Sequence, residues 1–173
     1  MELGSRPQRQ ETAHGHRCVE RRPAAAHDVD VALLKLSGPV DLQPIQLADS
    51  APVGLHVRLL GWGGTHPRGA NPDGTVDLPK RLQQLDTTIV ASENCASAGI
   101  TEGEFCTDNP HGDSGPAPGD SGGPAIIVKD GVRQVAGLCS RATSLLPGVD
   151  PTVYTDLTDA GIRKWIFDTA RAN

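Results

Sequence analysis

Two stretches of this 173-residue chain set a serine hydroxyl in a glycine turn: Gly112-Asp113-Ser114-Gly115 and Gly119-Asp120-Ser121-Gly122-Gly123-Pro124. A hydroxyl is a weak nucleophile until a base takes its proton. Glycine on either side lets a reacting carbonyl approach main-chain N–H groups, which can hold the charge that develops on its oxygen. A bare Gly-Asp-Ser-Gly is more often an ordinary loop, and context separates the two copies. Only the later one runs through Gly-Gly-Pro into the apolar strand Ala125-Ile126-Ile127-Val128, which gives the turn a rigid backing. Ser121 is the candidate nucleophile. A second candidate is Asp30, set between Val29 and Val31. A carboxylate among apolar residues is costly unless it is hydrogen-bonded or paired, although an edge aspartate turned to solvent would also satisfy the pattern.

Many short strands must position these groups. Val29 to Leu36 is a dense apolar strand closed by Ser37-Gly38-Pro39. Ile45-Gln46-Leu47 is a short strand, and Val57 to Leu60 runs into Gly61-Trp62-Gly63-Gly64. Residues 65–79 mix Pro and Gly with Asn and Asp and read as an exposed loop. Leu82 to Val90 resumes as strand, and Ala125–Val128 returns through Lys129-Asp130-Gly131 as the strand Arg133–Cys139. Thr152 to Thr155 is one more strand. Ile162, Trp165 and Ile166 fall at helical spacing, with Asp156 or Thr158 available as the cap. Cys95 and Cys106 flank a polar loop that a disulfide would close. Strands without βαβ alternation, ending in one helix, predict an all-β barrel or sandwich.

Composition agrees. Hydrophobic content of 37% with 20 glycines and 14 prolines leaves room for many turns and little for long helices. The net charge of −5 argues against a nucleic-acid partner held through phosphates, and no apolar run is long enough to span a membrane. Residues 1–27 carry five arginines and three acids without periodicity. They lack the apolar core and small-residue cleavage site of a secretory signal, so residues 1–26 read as an atypical, disordered leader.

Taken together and in order, Asp30-Val31-Ala32-Leu33-Leu34-Lys35-Leu36, Gly61-Trp62-Gly63, Phe105-Cys106, Gly119–Pro124, Val135-Ala136-Gly137 with Ser140, Val153-Tyr154-Thr155 and the helix bearing Trp165 resemble the trypsin/chymotrypsin family of serine endopeptidases, in a bacterial type. The match runs from about His27 to Ile166. Ser121 stands 91 residues after Asp30, against about 93 between aspartate and serine in the template triad. The resemblance implies a double β-barrel with a terminal helix, acting on peptide or protein substrates as a secreted monomer without a cofactor or metal. Ser121 would be the nucleophile, Asp30 the acid that orients an imidazole, and the amides of Gly119 and Ser121 the oxyanion hole. Asp120 would pair with an N-terminus freed by proteolysis. Ser140, Arg141 and Ala142 would form the strand edge along which a peptide adds itself, with Thr152 and Gly115 as further substrate-binding positions. Gly115 stands at the floor of the primary pocket. The absence of a carboxylate there favours small or apolar side chains over Arg or Lys.

The chain departs from the family in its first third. The base is expected in a Thr-Ala-Ala-His-Cys segment, of which Thr12-Ala13-His14 and His16-Arg17-Cys18 are fragments. His14 and His16 lie only 16 and 14 residues before Asp30, against roughly 45 in the template. His27 is closer still, and His56, His66 and His111 fall in connections and loops. The Ile-Val-Gly-Gly start is absent too. Residues 27–54 then read as the remnant of an N-terminal barrel that is mostly missing, and 55–173 as a largely complete C-terminal barrel and helix. Ala117 replaces a cysteine that the family usually carries, and its partner is lost with it, leaving Cys139 as a buried thiol and Cys18 without an evident partner. Two readings follow: an endopeptidase recorded without its first part, or a short non-catalytic relative that binds peptides.

Overall fold

Inward and outward side chains alternate along the strands, and antiparallel pairing then closes the strands on themselves. The computed structural model describes residues 17–20, 29–65, 75–143 and 150–172, the first four as backbone alone. The strands are β1 (Arg17–Glu20), β2 (Ala32–Lys35), β3 (Gln46–Leu47), β4 (His56–Gly61), β5 (Gln83–Val90), β6 (Glu104–Thr107), β7 (Pro124–Lys129), β8 (Val132–Ala142) and β9 (Thr152–Asp156), followed by the helix α1 (Ala160–Ala172). Strands β8, β7, β4, β5, β6 and β9 pair in that order, and β9 returns to β8 to close an antiparallel barrel. Closure leaves the barrel strands few unpaired edges. The all-β fold with one terminal helix is as the sequence predicts.

Strand β4 shows how the pattern works. Val57 and Leu59 are buried, while Arg58 points outward and binds the Asp86 carboxylate on β5 through two hydrogen bonds of 2.6 and 2.7 Å. Inside the barrel they meet Ile89, Phe105, Ala125, Ile127, Ala136 and Tyr154, with the Phe105 and Tyr154 rings stacked 5.6 Å apart. Full burial of a side chain such as Ile89 contributes about 2 kcal/mol. Ile126 on β7 turns the other way and joins Val135, Leu157, Ile162 and Val31 beneath α1. That is why the run after the candidate nucleophile is apolar on both faces. It also clamps Val31, the neighbour of Asp30, to the barrel wall.

Several local features refine the reading from sequence. Strand β7 passes to β8 through Asp130-Gly131, with φ of 53° and 77°, the positive values that a two-residue hairpin turn matching strand twist requires. The cap of α1 is Asp159, whose Oδ1 accepts the Ile162 amide at 2.8 Å. Asp156 is still within β9 and instead accepts the Thr158 amide and hydroxyl, both at 2.7 Å. Within the stretch read as a leader, Arg17–Glu20 pair antiparallel with β2 as a separate two-stranded sheet. The four residues RCVE offer no sustained alternation, so only the partner strand reveals this one. Leu34 on β2 and, further along the chain, Leu36, Val40, Leu42 and Ile45 are exposed.

Cys95 and Cys106 form a disulfide that ties the 3₁₀ segment Ser92–Ala98 to β6, with both residues fully buried against Val153. Replacing both by serine is expected to lower the free energy of unfolding by about 3 kcal/mol, the entropy of closing a loop of this length. Urea denaturation of the two proteins checks this.

Candidate active site

The turn that carries Ser121 is built from tight backbone hydrogen bonds. The Asp120 amide donates to Ala117 O at 2.9 Å and the Gly123 amide to Asp120 O at 2.8 Å. Gly119 enters the turn at φ +102°, a region that side chains rarely adopt. Two further bonds fasten it to the barrel: Gly122 N donates to Cys139 O, and Cys139 N to Gly123 O, each at 2.8 Å. Ser121 is exposed at the corner. Among the described residues, the amides of Gly119 and Ser121 meet no protein acceptor.

Asp120 turns the opposite way from its neighbour. Its Oδ1 accepts the Gly63 amide at 2.7 Å and its Oδ2 the Ala117 amide at 2.9 Å. The carboxylate lies so close to Gly61 and Gly63 that a Cβ at either position would overlap it. This explains the Gly-Trp-Gly pattern: the strand end must let a carboxylate lie directly on its backbone. A hydrogen bond from Gly64 N to Pro118 O at 3.0 Å continues the same contact.

Asp30 lies just before β2, and its placement is specific. The Ser140 hydroxyl donates to its Oδ2 at 2.9 Å, and the Thr155 hydroxyl donates to its backbone carbonyl at 3.0 Å. Asp30 is thus exposed and held from β8 and β9 at once. Among the described side chains no imidazole reaches it. His56 is paired with the Thr88 hydroxyl at 3.4 Å, and His14, His16, His27 and His66 lie outside the described residues.

The earlier copy of the motif is placed differently. Ser114 is half-buried, with its hydroxyl bound to Asp113 Oδ1 at 2.9 Å. With Gly115, Asp113, Asp120, Gly63 and Tyr154 it lines a cavity of about 390 Å³. Cys139 is a free thiol, buried against this wall, and burial pushes it up to about 11, which keeps it protonated and inert as a nucleophile. Among the described residues no three His, Cys, Asp or Glu side chains come together as metal donors.

Among the described residues, Ser140–Ala142 pair with β9 on one side only, while β7 accompanies β8 no further than Leu138. A bulge between Cys139 and Arg141 inserts Ser140 and frees its hydroxyl for Asp30. Thr152 is buried opposite Ala142. The Arg141 side chain folds away from the open edge. Its Nη1 and Nη2 bind the Glu104 carboxylate at 2.5 and 2.8 Å, while Nε and Nη2 donate to Ala98 O and Gly99 O at 2.9 and 3.0 Å. Glu104 also accepts the Thr101 amide and hydroxyl. Burial pushes its carboxyl up, but the bonds from Arg141 and Thr101 outweigh this and hold it below its ordinary 4.5. Glu104 and Thr155 carry no signal in the sequence, because their partners lie 37 and 125 residues away.

Comparison with known proteins identifies relatives of the chain. The family model described as Trypsin matches residues 2–166. Among relatives, Kallikrein 1-related peptidase b16 of Mus musculus is 34% identical over 160 residues, covering 87% of this chain and 57% of that protein. Serine protease 1 of Rattus norvegicus is 33% identical over 152 residues, covering 83% and 57%. Trypsin eta of Drosophila erecta is 30% identical over 154 residues, covering 83% and 55%. The chain spans somewhat over half the length of the curated relatives it matches.

Two measurements test the local forces. Gly63→Ala, by forcing a methyl into the Asp120 carboxylate, is expected to cost about 1–3 kcal/mol of stability, the usual range for overpacking. Amide exchange should quicken first in residues 117–123. A carboxyl held low when folded stabilises the protein above its ordinary range, and that contribution is lost as pH falls through the depressed value. Denaturation measured from pH 7 down to below Glu104's ordinary 4.5 should therefore show an acid-side loss that Glu104→Gln reduces.

Proposed function

The chain belongs to the trypsin family of serine endopeptidases, and from that premise we propose that it carries the family's acyl-transfer site without the base that would make it turn over. Ser121 is the nucleophile. The amides of Gly119 and Ser121 are the oxyanion donors, each worth a few kcal/mol when charge develops on the carbonyl oxygen. Asp30 is the acid that would hold an imidazole in the correct tautomer, and Ser140 and Thr155 fix it in place. In the complete reaction the base takes the Ser121 proton as its oxygen attacks the scissile carbonyl. It then returns the proton to the leaving amine, and water releases the acyl group in the same way.

A peptide is bound in extended form along Ser140–Ala142, as an added strand on the open edge of β8. Gly115 contributes no charge to the primary pocket, which suits small or apolar side chains. The disulfide fits a protein made for an oxidising, secreted setting. The observation that carries the reading is Asp30 itself: its carboxylate meets the Ser140 hydroxyl and, among the described side chains, no histidine. On this reading the Ser121 hydroxyl keeps its proton, and the chain acts as a peptide-binding relative of the active enzymes.

Treatment of the 173-residue protein with an organophosphonate probe, followed by intact-mass measurement and peptide mapping, is expected to leave Ser121 unmodified. Stoichiometric modification of Ser121 would overturn the proposed inactivity and identify the chain as a working endopeptidase with one of its histidines as base.

A further inference from the structure

Arg141 lies in the middle of the open edge of β8, where a side chain facing the cleft would touch a bound peptide. Its guanidinium instead spends its five N–H groups inside the protein. Two meet the Glu104 carboxylate and two meet the carbonyls of Ala98 and Gly99. The fifth approaches the Ser140 hydroxyl at 3.4 Å. The Glu104 side chain is 3% exposed and that of Arg141 35%, so the pair is sheltered on its acidic side. Thr101 fills the remaining capacity of Glu104 through its amide at 2.8 Å and its hydroxyl at 3.1 Å. A planar fork satisfied in this way fixes both partners in one orientation.

The groups it joins matter more than the pair. Ala98 and Gly99 end the 3₁₀ segment that carries Cys95, and Glu104 stands two residues before Cys106. The guanidinium therefore grips both arms of the loop that the disulfide closes. On its own strand, Arg141 follows the bulge that turns Ser140 toward Asp30. An open strand edge has a partner on one side only, so its backbone needs another restraint to stay extended for a ligand.

We propose that Arg141 and Glu104 are positioning residues, a bracket that holds the Ser140–Ala142 edge in its peptide-binding conformation by locking it to the disulfide-closed 95–106 loop. The proposal rests on the reading that this edge receives the peptide. It assigns the Arg141 side chain to the edge's support and leaves only its backbone to face the substrate.

The test is an NMR titration of the isotope-labelled 173-residue protein with the tetrapeptide acetyl-Ala-Ala-Pro-Ala-amide. Wild type should show saturable shifts centred on Ser140, Arg141 and Ala142. Removing either partner alone leaves a sheltered charge, so the main variant is R141M/E104L, in which both charges go together. It should keep its melting transition and bind the tetrapeptide about tenfold more weakly, as the loss of one ordered charge-assisted pair implies. R141K keeps the charge without the fork and should also bind more weakly, which supplies the answer if the double variant does not fold. Folded variants with wild-type affinity would overturn the bracket. A wild-type protein that shows no shifts at this edge would overturn the peptide-edge reading, and the bracket's role with it.

Discussion

The site depends on where β8 changes partners. Its first half is bonded to β7 and its second half to β9, and the exchange that closes the barrel falls at Leu138–Arg141. Three consecutive residues at that point each hold something different. The backbone of Cys139 fastens the Ser121 turn, the hydroxyl of Ser140 holds Asp30, and the guanidinium of Arg141 grips the loop between Cys95 and Cys106. A bulge makes this possible, because a regular strand would send neighbouring side chains to alternate faces in fixed register.

Asp120 and Asp30 show how environment divides chemically identical groups. Asp120 is turned inward onto backbone amides, with both oxygens engaged and two glycines clearing its path. Asp30 stays exposed, with the Ser140 hydroxyl on Oδ2. One is a structural acceptor beneath the turn, and the other is held at the edge of β8 by Ser140. The buried thiol of Cys139 completes the contrast. It is close to the proposed nucleophile in the fold, yet burial keeps it protonated and unreactive.

Much of this was legible in order of residues alone. The later Gly-Asp-Ser-Gly was separable from the earlier because only it feeds an apolar run, and the structure places Ser121 exposed at a corner and Ser114 in a cavity wall. The strands around Val57, Ile89, Ile126 and Tyr154 were readable because burial follows their alternation or continuity. Strand β1 and the cap of α1 were harder to read. The first has no pattern of its own, and for the second three nearby polar residues compete until the end of β9 decides among them.

What the amino-acid order carries by itself is candidate chemistry: one serine in a glycine turn that feeds an apolar strand, and one aspartate 91 residues before it. Such properties are local or depend on counting along the chain, so no folding is needed to read them. Tertiary structure decided which groups meet. Ser140 reaches Asp30 across 110 residues, Thr155 reaches it across 125, and Arg141 reaches Glu104 across 37. Side-chain hydrogen bonds act over about 3 Å, and only barrel closure brings residues so distant in sequence within that range.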